Sequence, residues 1–158
     1  MRIIAIDPGY ERLGIAVLEK IKGKESLLFS ECFKTKASLP FFDRLRLIGE
    51  EVAQIIDEYQ PEALAIENLF LETNQKTAMR VAEARGAILY QARILDLEID
   101  EYTPLQIKVA TTGYGKASKI QVITMVKKLI SGAENIKQDD EMDAIAIGLT
   151  HFAYSRPK

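Results

Sequence analysis

The opening run Met1-Arg2-Ile3-Ile4-Ala5-Ile6-Asp7-Pro8-Gly9 decides the fold. Arg2 to Asp7 is apolar and β-branched, the pattern of a central strand covered on both faces. Pro8-Gly9 punctuates it, and residues 13–18 resume as a second strand. Residues 26–33 read as a third, with 20–24 as the turn between them. Three strands joined by short connections predict an antiparallel meander.

Beyond the meander the period changes. Leu45, Ile48, Val52, Ile55 and Ile56 recur at three- and four-residue steps, so residues 39–59 are expected to form an amphipathic helix ended by Pro61. Ala63 to Glu67 is a short apolar strand, followed by a helix over about 73–95. Residues 99–102 are a fifth strand, and Pro104 is placed to open a short helix. The stretch 111–118 contains Gly113, Gly115 and Lys116 and is expected to be irregular. Val122, Ile123, Val126, Leu129 and Ile130 give another helix, and 140–154 the last. The order βββαβαβαα describes a mixed sheet with helices on its faces. There is no internal repeat, and residues 155–158 are expected to fray.

At 158 residues the chain is expected to be a single domain spanning 1–158. One cysteine, Cys32, excludes an internal disulfide and fits a reducing compartment. The amino terminus reads as a buried strand, not a signal peptide. No run approaches about 18 apolar residues, so no membrane span is expected and the cytoplasm is the expected location. The formal net charge of −2 is unlike that of most nucleic-acid binders. That objection weakens if acids gather in one site while bases line one face.

Three places put carboxylates at the ends of elements: Asp7 after the first strand, Glu67 after the fourth, and Asp140 with Asp143 in the first turn of the last helix. Residues three apart share a helix face, and neighbouring parallel strands deliver Asp7 and Glu67 to one sheet edge. Converging carboxylates repel one another unless cations neutralise them. Hard oxygen ligands suit Mg²⁺ or Mn²⁺. Two such ions about 4 Å apart are a common device for cutting a phosphodiester. Each acid also has a plainer reading. Asp7 could form a turn with Pro8-Gly9, and Asp140 with Asp143 could cap a helix and complement its dipole. Asp139, four residues before Asp143, could play either part. Glu67, closing the run Ala-Leu-Ala-Ile, has no propensity reason to be there. Convergence carries the argument; no single acid does.

Together these segments resemble the RuvC family of Holliday-junction endonucleases. The matching stretches are Ile6-Asp7-Pro8-Gly9, Ala65-Ile66-Glu67-Asn68-Leu69-Phe70 and Ala84-Arg85-Gly86. Gly113-Tyr114-Gly115-Lys116-Ala117-Ser118-Lys119 and Asp140-Glu141-Met142-Asp143-Ala144-Ile145-Ala146-Ile147 follow in order. The resemblance covers nearly the whole chain. It implies an α/β, ribonuclease-H-like fold with a five-stranded mixed sheet flanked by helices. It also implies a Mg²⁺-dependent enzyme, with Mn²⁺ as a substitute and two ions per site, that nicks two opposed strands of a four-way DNA junction. A homodimer follows from the junction's two-fold symmetry, and a junction-binding and branch-migration complex is the implied partner. By position Asp7, Glu67, Asp140 and Asp143 match the family's catalytic tetrad. Phe70 matches an aromatic residue placed against bases near the cut, and Lys108 and Lys119 match basic residues near the scissile phosphate. The chain is somewhat shorter at its carboxyl end than many relatives.

Arg80, on the second helix, and Lys116, in the glycine-containing loop, are further candidates for DNA contact, beside Lys76 and Arg85. Such residues would supply salt-sensitive affinity for phosphates. A solvated helix face is the alternative for Lys76 and Arg80, and a core position for Phe70. His151 is read as a packed or surface histidine without chemistry. The small residues on the second helix, Val81, Ala82, Ala84, Ala87 and Ile88, suit core packing or a dimer seam. Three rival functions remain: an RNA-cutting nuclease of the same fold, an actin-like ATP-binding domain, and a junction-binding protein without catalysis. The intact tetrad argues against the last, and the lack of a second domain against the ATPase.

Overall fold

The computed structural model describes residues 1–68 and 75–155. Strands β1 (Arg2–Asp7), β2 (Arg12–Ile21) and β3 (Lys24–Lys34) precede helix α1 (Phe41–Tyr59). Strand β4 (Ala63–Glu67), helix α2 (Gln75–Ile94) and strand β5 (Glu98–Tyr102) follow, then helices α3 (Pro104–Thr112), α4 (Lys119–Leu129) and α5 (Asp139–Tyr154). The sheet runs β3-β2-β1-β4-β5. Its first half is the expected antiparallel meander, and its second half is parallel, with β4 beside β1 and β5 beside β4.

Period-2 alternation divides the core in two. Ile4, Ile6, Ile15, Val17, Leu64 and Ile66 face α1 and α2, which contribute Ile48, Val52, Ala84 and Ile88. Ile3, Ala5, Ala16, Leu18, Ala63 and Ala65 face the layer of α3, α4 and α5. Small side chains on this second face let α5 lie close to β1 and β2. Both faces of β1 are therefore covered, which is why its sequence shows no polar alternation.

Several boundaries differ from expectation for identifiable reasons. β2 and β3 run further than the apolar stretches suggest, because a tight turn at Lys22 and Gly23, both at positive φ, lets the ladder continue through polar residues. Pro40 precedes α1 as its N-cap, so that helix begins at Phe41. The stretch 111–118 is not wholly irregular: Thr111 and Thr112 complete α3, their hydroxyls donating to the carbonyls of Ile107 and Lys108. Gly113 then stops the helix in the left-handed conformation. Thr103 with Gln106 and Ser118 with Gln121 form capping boxes that start α3 and α4. On α2 only Ala84, Ile88 and Ala92 are buried, while Val81 and Ala87 are partly covered and Ala82 is exposed. The inward stripe of that helix is narrower than the sequence suggests.

Candidate active site

β1 and β4 are parallel with Ile6 opposite Ile66. Asp7 and Glu67, one residue further along each strand, thus leave the sheet side by side. α5 packs across β1 and β2 and brings its first turn to the same edge. Gln138 is the N-cap of α5 and makes no side-chain cap bond. Asp140 is therefore not a capping residue, and Asp139, Asp140 and Glu141 load the first turn with negative charge.

The four expected carboxylates converge electrostatically on Asp7. Burial, then the charges of Asp143, Glu67 and Asp140, push its pKa up to about 8, with Lys119 alone acting the other way. Glu67 is raised by burial and by Asp143. Asp143 is also raised, chiefly by burial, although Lys119 opposes this through a 2.7 Å bond to its Oδ2. Asp140 differs. Burial would raise it, but hydrogen bonds from Arg12 and Cys32 and the charge of Arg12 hold it below the ordinary carboxylate value. Burial disfavours the Lys119 ammonium, yet its bond to Asp143 and the charges of Asp143, Asp139 and Asp7 outweigh that and raise its pKa.

A cleft of about 230 Å³ opens beside the acids, lined by Glu67, Lys108, Lys119, Val122, Asp143 and Ile147. Lys108 and Lys119 thus share a cavity with two of the carboxylates, whereas Lys116 is exposed on the loop before α4. Arg80 lies over the rings of Phe41, at 4.8 Å, and Tyr10, at 5.9 Å. Arg85 donates to the Glu67 carbonyl and pairs with Glu101, bracing β4 and β5 from α2. Phe70 falls outside the described residues. His151 is buried far from the acids, its Nδ1 3.2 Å from the Tyr102 hydroxyl.

Sequence reasoning missed the surroundings of Asp140. Arg12 Nε donates to Asp140 Oδ2 at 2.9 Å, its Nη2 makes a second bond to the same oxygen, and Cys32 Sγ approaches that oxygen at 3.5 Å. The strand ladder holds the signal, because Asp7 pairs with Gly14 and Gly14 with Cys32. Period-2 patterning assigns a face to each residue but not this shared level.

The donor set fits a hard divalent cation: oxygen ligands only, with three of the four carboxyls pushed up chiefly by burial and further by their neighbours' negative charge. Among the described residues no three such side chains are drawn together closely enough to grip one ion. Arg12 and Lys119 instead neutralise Asp140 and Asp143.

Known proteins match this chain over nearly its whole length. The family model for crossover junction endodeoxyribonuclease RuvC matches residues 3–151. The RuvC endonuclease of Thermosipho melanesiensis is 46% identical over 147 residues, covering 93% of this chain and 94% of the relative. That of Fusobacterium nucleatum is 41% identical over 152 residues, covering 96% and 80%. The structure of T. thermophilus RuvC in complex with a Holliday junction substrate superposes with a TM-score of 0.91 at 34% identity, covering 98% of this chain and 94% of that one. The yeast mitochondrial Holliday junction resolvase, at 12% identity and a TM-score of 0.69, shares the fold. With a five-stranded mixed sheet, acids at one edge and a family match over nearly its whole length, the chain belongs to the RuvC family of crossover junction endodeoxyribonucleases.

Proposed function

We propose that the protein resolves four-way DNA junctions by hydrolysing one phosphodiester in each of two opposed strands, in recombination and repair. The observation that carries this reading is the placement of Asp7 and Glu67 side by side at the ends of β1 and β4, with the acidic start of α5 at the same edge, on a frame that matches a junction-bound RuvC. Family nucleases of this kind depend on metal. Here Asp7, Glu67, Asp140 and Asp143 would hold Mg²⁺, or Mn²⁺ in its place, with two ions per site. Held by these residues, such ions would supply polarisation of the attacking water and stabilisation of the leaving oxygen.

The remaining tasks fall to the chain itself. Asp7, the most desolvated of the acids, needs added positive charge to remain ionised at neutral pH, so its carboxylate and the cation stabilise each other. Lys108 and Lys119, lining the cleft, offer ammonium groups to the phosphate as negative charge builds there. Lys116, exposed on the loop before α4, and Arg80 serve as outer phosphate contacts, and Phe70 as a stacking surface for a base near the cut.

Two cuts related by a two-fold axis call for two sites, so the working unit is a homodimer. The outward face of α2 suits the seam: Met79, Ala82, Gly86 and Tyr90 are all exposed. A junction-binding and branch-migration complex would present the substrate. No helix among the described residues is long and apolar enough to cross a membrane, and we place the activity in the cytoplasm with the DNA.

The test uses a labelled four-way junction and a linear duplex of the same sequence, each with Mg²⁺ or EDTA. Paired symmetric nicks in the junction alone, and only with metal, are expected. Cleavage of structured RNA with the junction left intact would replace the DNA reading by its RNA-cutting rival.

A further inference from the structure

We propose that Arg12 is a positioning residue for Asp140: a tethered cation that occupies the carboxylate until a divalent ion takes its place. The inference deepens the metal-site reading above and rests on it. Arg12 begins β2, and its backbone is set by the turn after Asp7. A Cβ on Gly9 would lie 2.0 Å from the Arg12 carbonyl oxygen, so only glycine there allows so close a return of the chain. From this fixed base the guanidinium reaches α5, where Nε and Nη2 both donate to Asp140 Oδ2 and Nη2 also donates to Gln138 at 3.0 Å.

The placement suits exchange better than permanent structure. Arg12 keeps 47% of its side chain exposed, against 22% for Asp140. A pair this open to water is worth little, so it can be broken at small cost. Its surroundings are polar: Lys119, Lys137, Gln138 and Asp139 line the same depression. Lys119 holds Asp143 in a comparable way. Without metal, each outer acid is paired with a side-chain cation, while the half-buried Asp7 and Glu67 sit among the other acids with the charge of Lys119 as a partial offset. A cation entering among the acids meets Arg12 as a like charge and must share or take Asp140 from it. Arg12 thus lowers the metal affinity of the free protein while fixing Asp140 through two bonds to its Oδ2.

The test reads metal binding directly, without DNA. Mn²⁺ is titrated into the metal-free full chain and free ion is followed by electron paramagnetic resonance, for the parent, Arg12→Gln and Arg12→Lys. Arg12→Gln keeps a hydrogen-bond donor but loses the charge. It should bind Mn²⁺ about two- to fivefold more tightly, the range an exposed ion pair spans, with the gain shrinking as salt rises. Arg12→Lys restores the charge and should stay near the parent. Adding Asp140→Asn to Arg12→Gln should erase the gain, because the two side chains act through one another. Unchanged or weaker Mn²⁺ binding by Arg12→Gln, at an unfolding temperature equal to the parent's, overturns the role of Arg12 while leaving the metal site standing. No Mn²⁺ binding by the parent or any variant overturns both.

Discussion

Gly14 faces the backbone of Asp140 so closely that a Cβ built on it would stand 2.1 Å from the Asp140 carbonyl oxygen. The neighbour is main chain at the head of α5 and cannot swing aside as a side-chain tip would. Gly14→Ala should push the first turn of α5 away from β2, carrying Asp140 and Asp143 with it. We expect a loss of stability of about 1–3 kcal/mol from overpacking. Junction cutting should fall by roughly a hundredfold, as an ångström of misplacement at a reacting centre can cost. Thermal unfolding and single-turnover cleavage measure the two effects, and parental cutting by the variant would show that α5 can yield without moving its acids.

Asp7→Asn should abolish cutting and leave junction binding largely intact. It should also stabilise the metal-free protein at pH 8, by an amount on the order of 1–3 kcal/mol, because it removes a half-buried charge among three others. The sign follows from the raised pKa. A carboxyl pushed from 3.8 to about 8 favours the fold fully below the lower value, and that benefit is lost as pH rises through the higher. The advantage of the variant should therefore shrink toward pH 5. Unfolding temperatures in chelator at both pH values provide the check; a less stable variant at pH 8 would contradict it.

His151 makes the opposite pH signature at the other end of the sheet. Burial lowers its pKa from 6.5, against the pull of Asp100 and Glu98, so the fold favours the neutral ring. Its contribution is present above pH 6.5 and is lost as pH falls through the lowered value. Replacing it by glutamine, which can still meet the Tyr102 hydroxyl, should flatten the acid limb of the stability curve. One proton limits the difference in slope to about 1.4 kcal/mol per pH unit. Denaturant titrations between pH 5 and 7.5 read that slope, and parallel curves for the two proteins would remove His151 as the cause.

Thr35 ties the turn after Asp7 to α1. Its hydroxyl donates to the Tyr10 carbonyl at 2.6 Å and accepts from Arg44 Nε at 2.8 Å, while its amide donates to the Glu11 carbonyl. Arg44 is buried and packs on the Tyr10 ring. Its Nη2 has no hydrogen-bond partner among the described residues, with Glu11 3.9 Å away. Thr35→Val keeps the shape and orphans a second guanidinium nitrogen, at a cost of about 1–3 kcal/mol. Equilibrium unfolding measures it; a loss well under that range would mean that Glu11 closes on the guanidinium and compensates.

The reasons for what was legible differ along the chain. β1 and β4 stood out because a strand covered on both faces must be apolar throughout, so an acid at its end is conspicuous. Asp7 and Glu67 followed from that. Asp140 and Asp143 followed from helix geometry, because three residues is one turn. Arg12 could not be placed opposite Asp140 in advance: 128 positions separate them, and only the packing of α5 on β2 sets them level. The end of α3 was missed because threonine and glycine weigh against helix in isolation. In the folded chain, Thr111 and Thr112 satisfy their hydroxyls on their own helix.

Every residue of α5 from Ala144 to Phe152 is buried, between the sheet on one side and α3 and α4 on the other. Such a helix has no solvent-facing stripe along which it can fray or slide. Its amides belong to the part of a protein that opens only with global unfolding. Asp140 and Asp143 are therefore mounted on an element that behaves as an axle. Whatever adapts to the shape of a branched substrate must be something other than the bearing on which these two acids sit.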